Sequence, residues 1–462
     1  MRNFIRYGSL LTGLVLSAAS VKAQVPRATP DNGPSIPEYP VAYTIPTVEG
    51  IKSGMDHIKD RMVAHSLFYL VDTLTGRPIA DYTVYNKHAA IPKAAEGFVD
   101  WSYPNGVALT ACEELTEVTG DTSYRNYAIR FFDNIFRVMP YFRQMQEKGI
   151  IKKYPYQKMV NMRALDHCGA ITAALIGIQK VHPAPSYRSW IDTVNNYISN
   201  VQHRFSDGTI ARERPQPEAL WADDMYMCIP FLAQYGSLTG ENKYYDDAVK
   251  QAIQLSERLF DSKTGLFDHG WNLNSNGTDP AYFWGRANGW ATVALADLLS
   301  ILPKGYPGTN KVLDIYKAHV KALVEVQDGT GLWHNLLNRP ETYLETSASA
   351  LFVLSMAKGL NEGWLGPAFG PATIAGWNGV ASKITSEGLV EGIVEGTTFA
   401  NDNTYYFYRG TSAYTGFYGT VMRAGAEMIK LLKNPKFVIV SPKPNAVNSA
   451  IEFRYKADPL PR

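Results

Sequence analysis

The sequence predicts an all-α fold, a closed ring of helical hairpins that ends in a short irregular C-terminal tail. Three observations carry that reading. Apolar residues recur with a helical period from about residue 50 to 360. Helices rich in Ala, Gly and Ser alternate with amphipathic, charged ones. One inter-helix signature, Thr-Gly-(Asp/Glu)-x-x-Tyr, occurs at 119–124 and again at 239–244, the mark of one supersecondary unit used repeatedly.

The N-terminal residues 1–23 read as an export signal. Arg2 and Arg6 form a basic start, Leu10 to Ala19 a short apolar centre, and Val21-Lys22-Ala23 a cleavage site. The apolar centre is too short to span a bilayer, and no Cys follows the site to take a lipid anchor. A periplasmic or secreted location is therefore expected. Residues 24–47 are polar and Pro-rich, so they are expected to be flexible. The barrel is expected over 48–435.

Within it, "GVALTACEELTEVTG" has apolar Val107, Leu109, Ala111, Leu115 and Val118 before a stop at Gly120. "DHCGAITAALIGIQKVHP" ends at Pro183, "ANGWATVALADLLSILP" at Pro303 and "TSASALFVLSMAKGLNEG" at Gly363. The stretch "MYMCIPFLAQYG" is helical in pattern with Pro230 inside it, and residues 419–433 form a last helix. The amphipathic helices fall at 122–139, 186–205, 242–260 and 311–327. Small residues let helix backbones approach closely, so the first group is expected inside and the second outside. Six or so hairpins imply an (α/α) barrel, with a stacked solenoid as the alternative. Residues 364–380 are expected to form a loop at the mouth, and 436–462 a tail that can pair as a strand.

Composition narrows the partners. The chain has 462 residues, 45% hydrophobic, with a net charge of +2, so no strong field attracts nucleic acid or an anionic membrane. Neither is expected as a partner, and nothing in the sequence sets an oligomeric state. The 28 Tyr and 9 Trp suit either a sugar-stacking cleft or a large helical core. Cys112, Cys168 and Cys228 are widely spaced in apolar patterns and read as packed thiols. Paired His at ligand spacing, Ca-loop, phosphate-loop and Gly-x-Ser-x-Gly patterns do not occur. No metal or cofactor is expected.

In a ring of hairpins, the loops that enter the inner helices meet at one mouth. "EALWADDMYMCIPFLAQYG" brings Trp221, Asp223 and Asp224 there, and "LDHCG" brings Asp166 and His167. "FDHGWN" adds His269, and "YFWGRANGW" adds Trp284, Arg286 and Trp290. Each has a structural alternative. An Asp in a first turn complements the helix dipole, Asp166 or Glu345 can cap a helix, and Arg beside Trp can be a packing cluster. Two carboxyls at one mouth favour a proton on one of them, as a general acid requires.

"WADDMYMCIPFLAQYGSLTG", "FDHGW", "FWGRANGWATVALADLL" and "GLWHNLL…YLETSASALF" resemble glycoside hydrolase family 105, from about residue 50 to 433. Family 88 is similar at a greater distance. The resemblance implies an (α/α)6 barrel without metal. It implies removal of the 4,5-unsaturated uronic acid that polysaccharide lyases leave at a non-reducing end, by hydration of a vinyl ether. By the same resemblance Asp223 is the general acid/base and Asp166 the second carboxylate, which helps keep Asp223 protonated. His269, Arg286, Trp284 and Trp290 would line the sugar site, Trp221 would stack on the ring, and Tyr103 in "WSYPNG" would join them. Arg212 and Arg214 stand where the family varies; arginines there can engage a uronate carboxylate or lie at the surface. Two other functions fit the residues. A sugar-binding barrel without activity does not need Asp166 and Asp223 to meet. An inverting glycosidase needs two carboxyls roughly 6.5–9.5 Å apart and acts on saturated sugars.

Overall fold

Among the described residues, twelve long helices are arranged as six inner and six outer ones. The computed structural model describes residues 44–93, 97–153, 156–273, 282–400, 402–413, 415–440 and 452–455. These belong to one compact unit, Pro37–Arg462. The export signal expected at 1–23, and the flexible segment as far as residue 43, lie outside the described residues.

In chain order the helices are α1 (Val48–His65), α2 (Tyr103–Thr119), α3 (Thr122–Glu147), a one-turn α4 (Gln157–Val160), α5 (Gly169–Val181) and α6 (Pro185–Asn196). Then follow α7 (Asp223–Thr239), α8 (Asn242–Leu259), α9 (Gly285–Ile301) and α10 (Thr309–Glu325). The last are α11 (Thr346–Asn361), α12 (Gly370–Ala381), a short α13 (Asn403–Tyr408) and α14 (Tyr418–Lys433). The inner ring runs α2, α5, α7, α9, α11, α14, and α14 packs back on α2. That closure makes an (α/α)6 barrel and excludes the solenoid. Each inner helix carries an outer one, with α1 serving α14.

The division follows from composition. α9 and α11 are buried almost all round, whereas α8 buries one stripe through Tyr244, Tyr245, Ala248, Val249, Ala252, Leu255 and Leu259. Small residues sit where inner backbones touch. A Cβ on Gly169 of α5 would stand 1.5 Å from the Met227 carbonyl oxygen of α7. Gly169→Ala is therefore expected to cost about 3 kcal/mol through overpacking, read as a lowered urea midpoint. An unchanged midpoint would refute this close approach.

Three expectations are corrected. α3 continues past residue 139 through Pro140 to Glu147, because Tyr141, Phe142 and Met145 extend its buried face. The expected helix over 186–205 instead ends as α6 at Asn196, followed by a π turn over Tyr197–Val201. Residues 364–380 are not a mouth loop. They form a short turn and α12, an outer helix that buries Ile374, Trp377 and Val380. The tail pairs as expected, Phe437–Val440 antiparallel to Glu452–Tyr455. Cys112, Cys168 and Cys228 are free and buried.

The barrel interior also holds charge. Arg423 on α14 donates to Glu114 of α2 (2.6 Å) and to Asp297 of α9 (3.0 Å), and Lys358 of α11 reaches Asp297 at 2.7 Å. Burial pushes the Asp297 carboxyl up, but Arg423 and Lys358 outweigh it and hold it at about 2.

His319 of α10 is fully buried, with Nδ1 2.9 Å from the Gly265 carbonyl and Nε2 3.4 Å from that of Asn288. Burial lowers it to about 4, against the pull of both carbonyls. A base held below its unfolded value of 6.5 gives stability that is complete above pH 6.5 and lost as pH falls toward 4. The melting temperature is expected to drop across that window, and to drop less in His319→Gln. Parallel pH curves for the two proteins would remove His319 as the cause.

Candidate active site

A short ladder builds the mouth. Ala219–Trp221 pairs antiparallel with Gly270–Asn272, with Trp221 opposite Gly270. The Ala222 N–H donates to the His269 carbonyl at 3.0 Å, which sets His269 beside the start of α7. The Trp221 and His269 rings meet edge to face at 5.6 Å.

Asp223 and Asp224 open α7, where a one-residue step turns the side chain by about 100°. Asp223 faces a cleft of about 400 Å³ lined also by Tyr103, Asp166, His167, Arg212 and Trp221. Asp224 turns to Arg212, which grips it in a buried fork: Nε to Oδ2 at 2.6 Å and Nη2 to Oδ1 at 2.7 Å. The same guanidinium reaches Asp166 at 3.2 and 3.3 Å and lies 3.9 Å over the Trp221 ring. Asp166 sits in a 3-10 turn, Leu165–His167, ahead of α5, so its carboxylate serves Arg212 and not as the helix cap. Burial pushes the Asp224 carboxyl up to about 6, with Arg212 pulling the other way. The two-point fork gives each buried group of the pair its counter-charge.

Asp223 is placed differently. It is 8% exposed, and its Oδ2 accepts no hydrogen bond among the described residues. His269 Nε2 lies 3.4 Å from that oxygen. His269 Nδ1 is 2.7 Å from the Tyr406 hydroxyl, which accepts from the Ala400 N–H at 3.2 Å. Tyr406 thus holds Nδ1 in place, and Nε2 is the ring nitrogen turned toward Asp223.

Seven residues named from the sequence therefore share the cleft: Asp223, Asp166, His167, Trp221, Tyr103, Arg212 and Arg214. His269 is fully buried behind Asp223. Trp284, Arg286 and Trp290 are corrected, since they lie behind the site and do not face the sugar cleft. Trp284 donates to Asn335 at 3.0 Å and packs 4.6 Å from the His269 ring. Trp290 lies beneath Tyr103, with ring centroids 6.2 Å apart, and against Tyr226 at 4.9 Å. Arg286 is 1% exposed and donates to the Val394 and Glu395 carbonyls, each at 2.6 Å. Glu345 caps α11 through Ser347 and Ala348 and also accepts from the Val394 N–H at 3.0 Å. Together Arg286 and Glu345 clamp residues 394–395, so that Gly396, Thr397 and Thr398 form a wall of the cleft. Arg212 lines the cleft, and four of its five N–H donors go to the protein's own carboxylates, Asp224 and Asp166.

Sequence reasoning missed Thr397, Thr398, Tyr405 and Tyr406. The aromatic, Gly-rich stretch "NDNTYYFYRGTSAYTGFYGT" carries the two tyrosines, while Thr397 and Thr398 precede it in a segment without a signal. Among the described residues no cluster of His, Cys, Asp and Glu is arranged to hold a metal ion, and no helix is long and apolar enough to cross a membrane.

Known proteins match this arrangement. The model of Glycosyl Hydrolase Family 88 matches residues 73–432. Unsaturated rhamnogalacturonyl hydrolase YesR of Bacillus subtilis is 28% identical over 255 residues, 54% of this chain and 68% of that protein. An unsaturated 3S-rhamnoglycuronyl hydrolase of Formosa agariphila is 29% identical over 46% of this chain, which covers 58% of that relative, less than two thirds of its length. A solved family 105 glycoside hydrolase from C. acetobutylicum superposes with a TM-score of 0.62 at 26% identity, over 71% of this chain and 94% of its own. The matches agree with the resemblance drawn from the motifs.

Proposed function

The chain belongs to glycosyl hydrolase family 88, and from that premise we propose that it removes a 4,5-unsaturated uronic acid from the non-reducing end of lyase-generated oligosaccharides. One observation carries the reading: Asp223 stands in the cleft with a carboxyl oxygen that accepts no hydrogen bond among the described residues, while Asp224 and Asp166 are both held by Arg212. Of three neighbouring carboxyls, one is left to exchange a proton with a ligand.

The chemistry follows from that placement. The Asp223 carboxyl gives its proton to C4 of the C4=C5 double bond, and positive charge develops at C5 and the ring oxygen. Water adds at C5 and returns a proton to the Asp223 carboxylate. The hemiketal opens by breaking C5–O5, which leaves a hemiacetal at C1 that expels the next sugar. No glycosyl-enzyme bond forms, and one Asp acts as both acid and base. Trp221 and Tyr103 offer aromatic surface to the ring, and His269 backs Asp223 through the Tyr406 network. We place the reaction outside the cytoplasm, on the export pattern of residues 1–23.

The test uses unsaturated disaccharides from several lyases beside their saturated counterparts. Loss of the ultraviolet absorbance of the double bond is expected only with the unsaturated set. Cleavage of the saturated set instead would make the protein a conventional inverting glycosidase, and binding without turnover a sugar-binding barrel.

A further inference from the structure

The cleft is lined by two guanidiniums and one imidazole, and they differ in what they already hold. Arg212 uses four of its five N–H donors on Asp224 and Asp166. Burial lowers His167 below the ordinary histidine range, so it adds little positive charge at neutral pH. Arg214 is exposed on the cleft wall, and among the described residues its guanidinium has no hydrogen-bond or ion-pair partner. Arg286 and Arg409 stand close by, but Arg286 is buried on the Val394 and Glu395 carbonyls and Arg409 donates to the Gly396 carbonyl.

An anionic sugar entering this cleft meets the Asp166 carboxylate, whose side chain is 31% exposed. A second carboxylate beside it is repelled unless a cation is free to pair with it. Arg212 is not free, since taking it would strip buried Asp224 of its counter-ion.

We propose that Arg214 is the residue that binds the substrate's uronate carboxylate and so selects acidic over neutral sugars. The inference rests on the unsaturated-uronide reading and adds to it the group that recognises the acid. An arginine with all five donors open suits a carboxylate, which it grips as a two-point fork. Arg212 has the other duty, of holding the protein's own acids.

The experiment compares wild type, Arg214→Gln and Arg214→Lys on an unsaturated uronyl disaccharide and on its methyl ester. Wild type is expected to prefer the acid by about tenfold to a hundredfold in kcat/KM, the range of one charge-assisted contact. Arg214→Gln should lose that preference, with the loss on KM, and Arg214→Lys should keep part of it. Since Arg214 supports no other residue, all three proteins should melt together. An acid preference that survives in Arg214→Gln overturns the proposal. A second arm titrates a saturated uronate and its methyl ester calorimetrically, without turnover. If wild type fails to consume the unsaturated substrate, the proposed function falls, and the binding arm alone decides on Arg214: equal acid preference in wild type and Arg214→Gln, or none in wild type, refutes it.

Discussion

Asp223→Asn is expected to lower kcat about a thousandfold, the scale of a lost general acid–base group, while the folded protein melts with wild type. Asn has the shape of Asp and cannot deliver the proton. The Asp223 Oδ2 accepts no hydrogen bond among the described residues, so the exchange breaks none there. Asp224→Asn should behave in the opposite way. It replaces a carboxylate held at 2.6 and 2.7 Å by Arg212, in a residue 2% exposed, and should lower the melting temperature clearly. The pair is read by following the double-bond absorbance and thermal unfolding on the same preparations. Substantial turnover by Asp223→Asn would end its assignment as the acid. Loss of stability in Asp223→Asn, with none in Asp224→Asn, would exchange the two roles.

What could be read in advance depended on whether the signal was local. Inner and outer helices were legible because burial all round and burial on one stripe leave different composition along a helix, as in α9 and α8. Ring closure made Tyr103, Asp166, Trp221 and Asp223 converge, although they lie far apart in the chain. Asp223 could be separated from Asp224 by helical geometry alone. The partner of Asp224 could not. Arg212 lies 12 residues before it and 46 after Asp166, in an irregular segment whose path no periodicity reports. Arg286 was misplaced for a related reason. Its motif fixes it at the start of α9 but does not show that residues 394–395 cross above it and take its donors. The wall of Thr397, Thr398 and Tyr405 comes from that crossing, and its sequence carries aromatic content without a repeat.

Arg212→Leu should be the most destabilising single change at the mouth, about 3–5 kcal/mol, because it leaves a buried carboxylate without its cation. The cost comes from Asp224, which is 2% exposed and has Arg212 as its ion-pair partner. Asp166 contributes less, since its side chain is 31% exposed and its contacts to Arg212 are longer, at 3.2 and 3.3 Å. The separation is testable by urea unfolding. Adding Asp224→Leu to Arg212→Leu removes the stranded charge and should restore much of the lost stability, whereas adding Asp166→Asn should restore little. Activity should not return with stability in the double variant. Trp221 would have lost the guanidinium 3.9 Å from its ring, and Asp166 its only ion-pair partner among the described residues. A double variant that regained both would show that Arg212 serves only the fold. One that regained stability alone would show that the same guanidinium that stabilises the mouth also keeps Trp221 and Asp166 in place around Asp223.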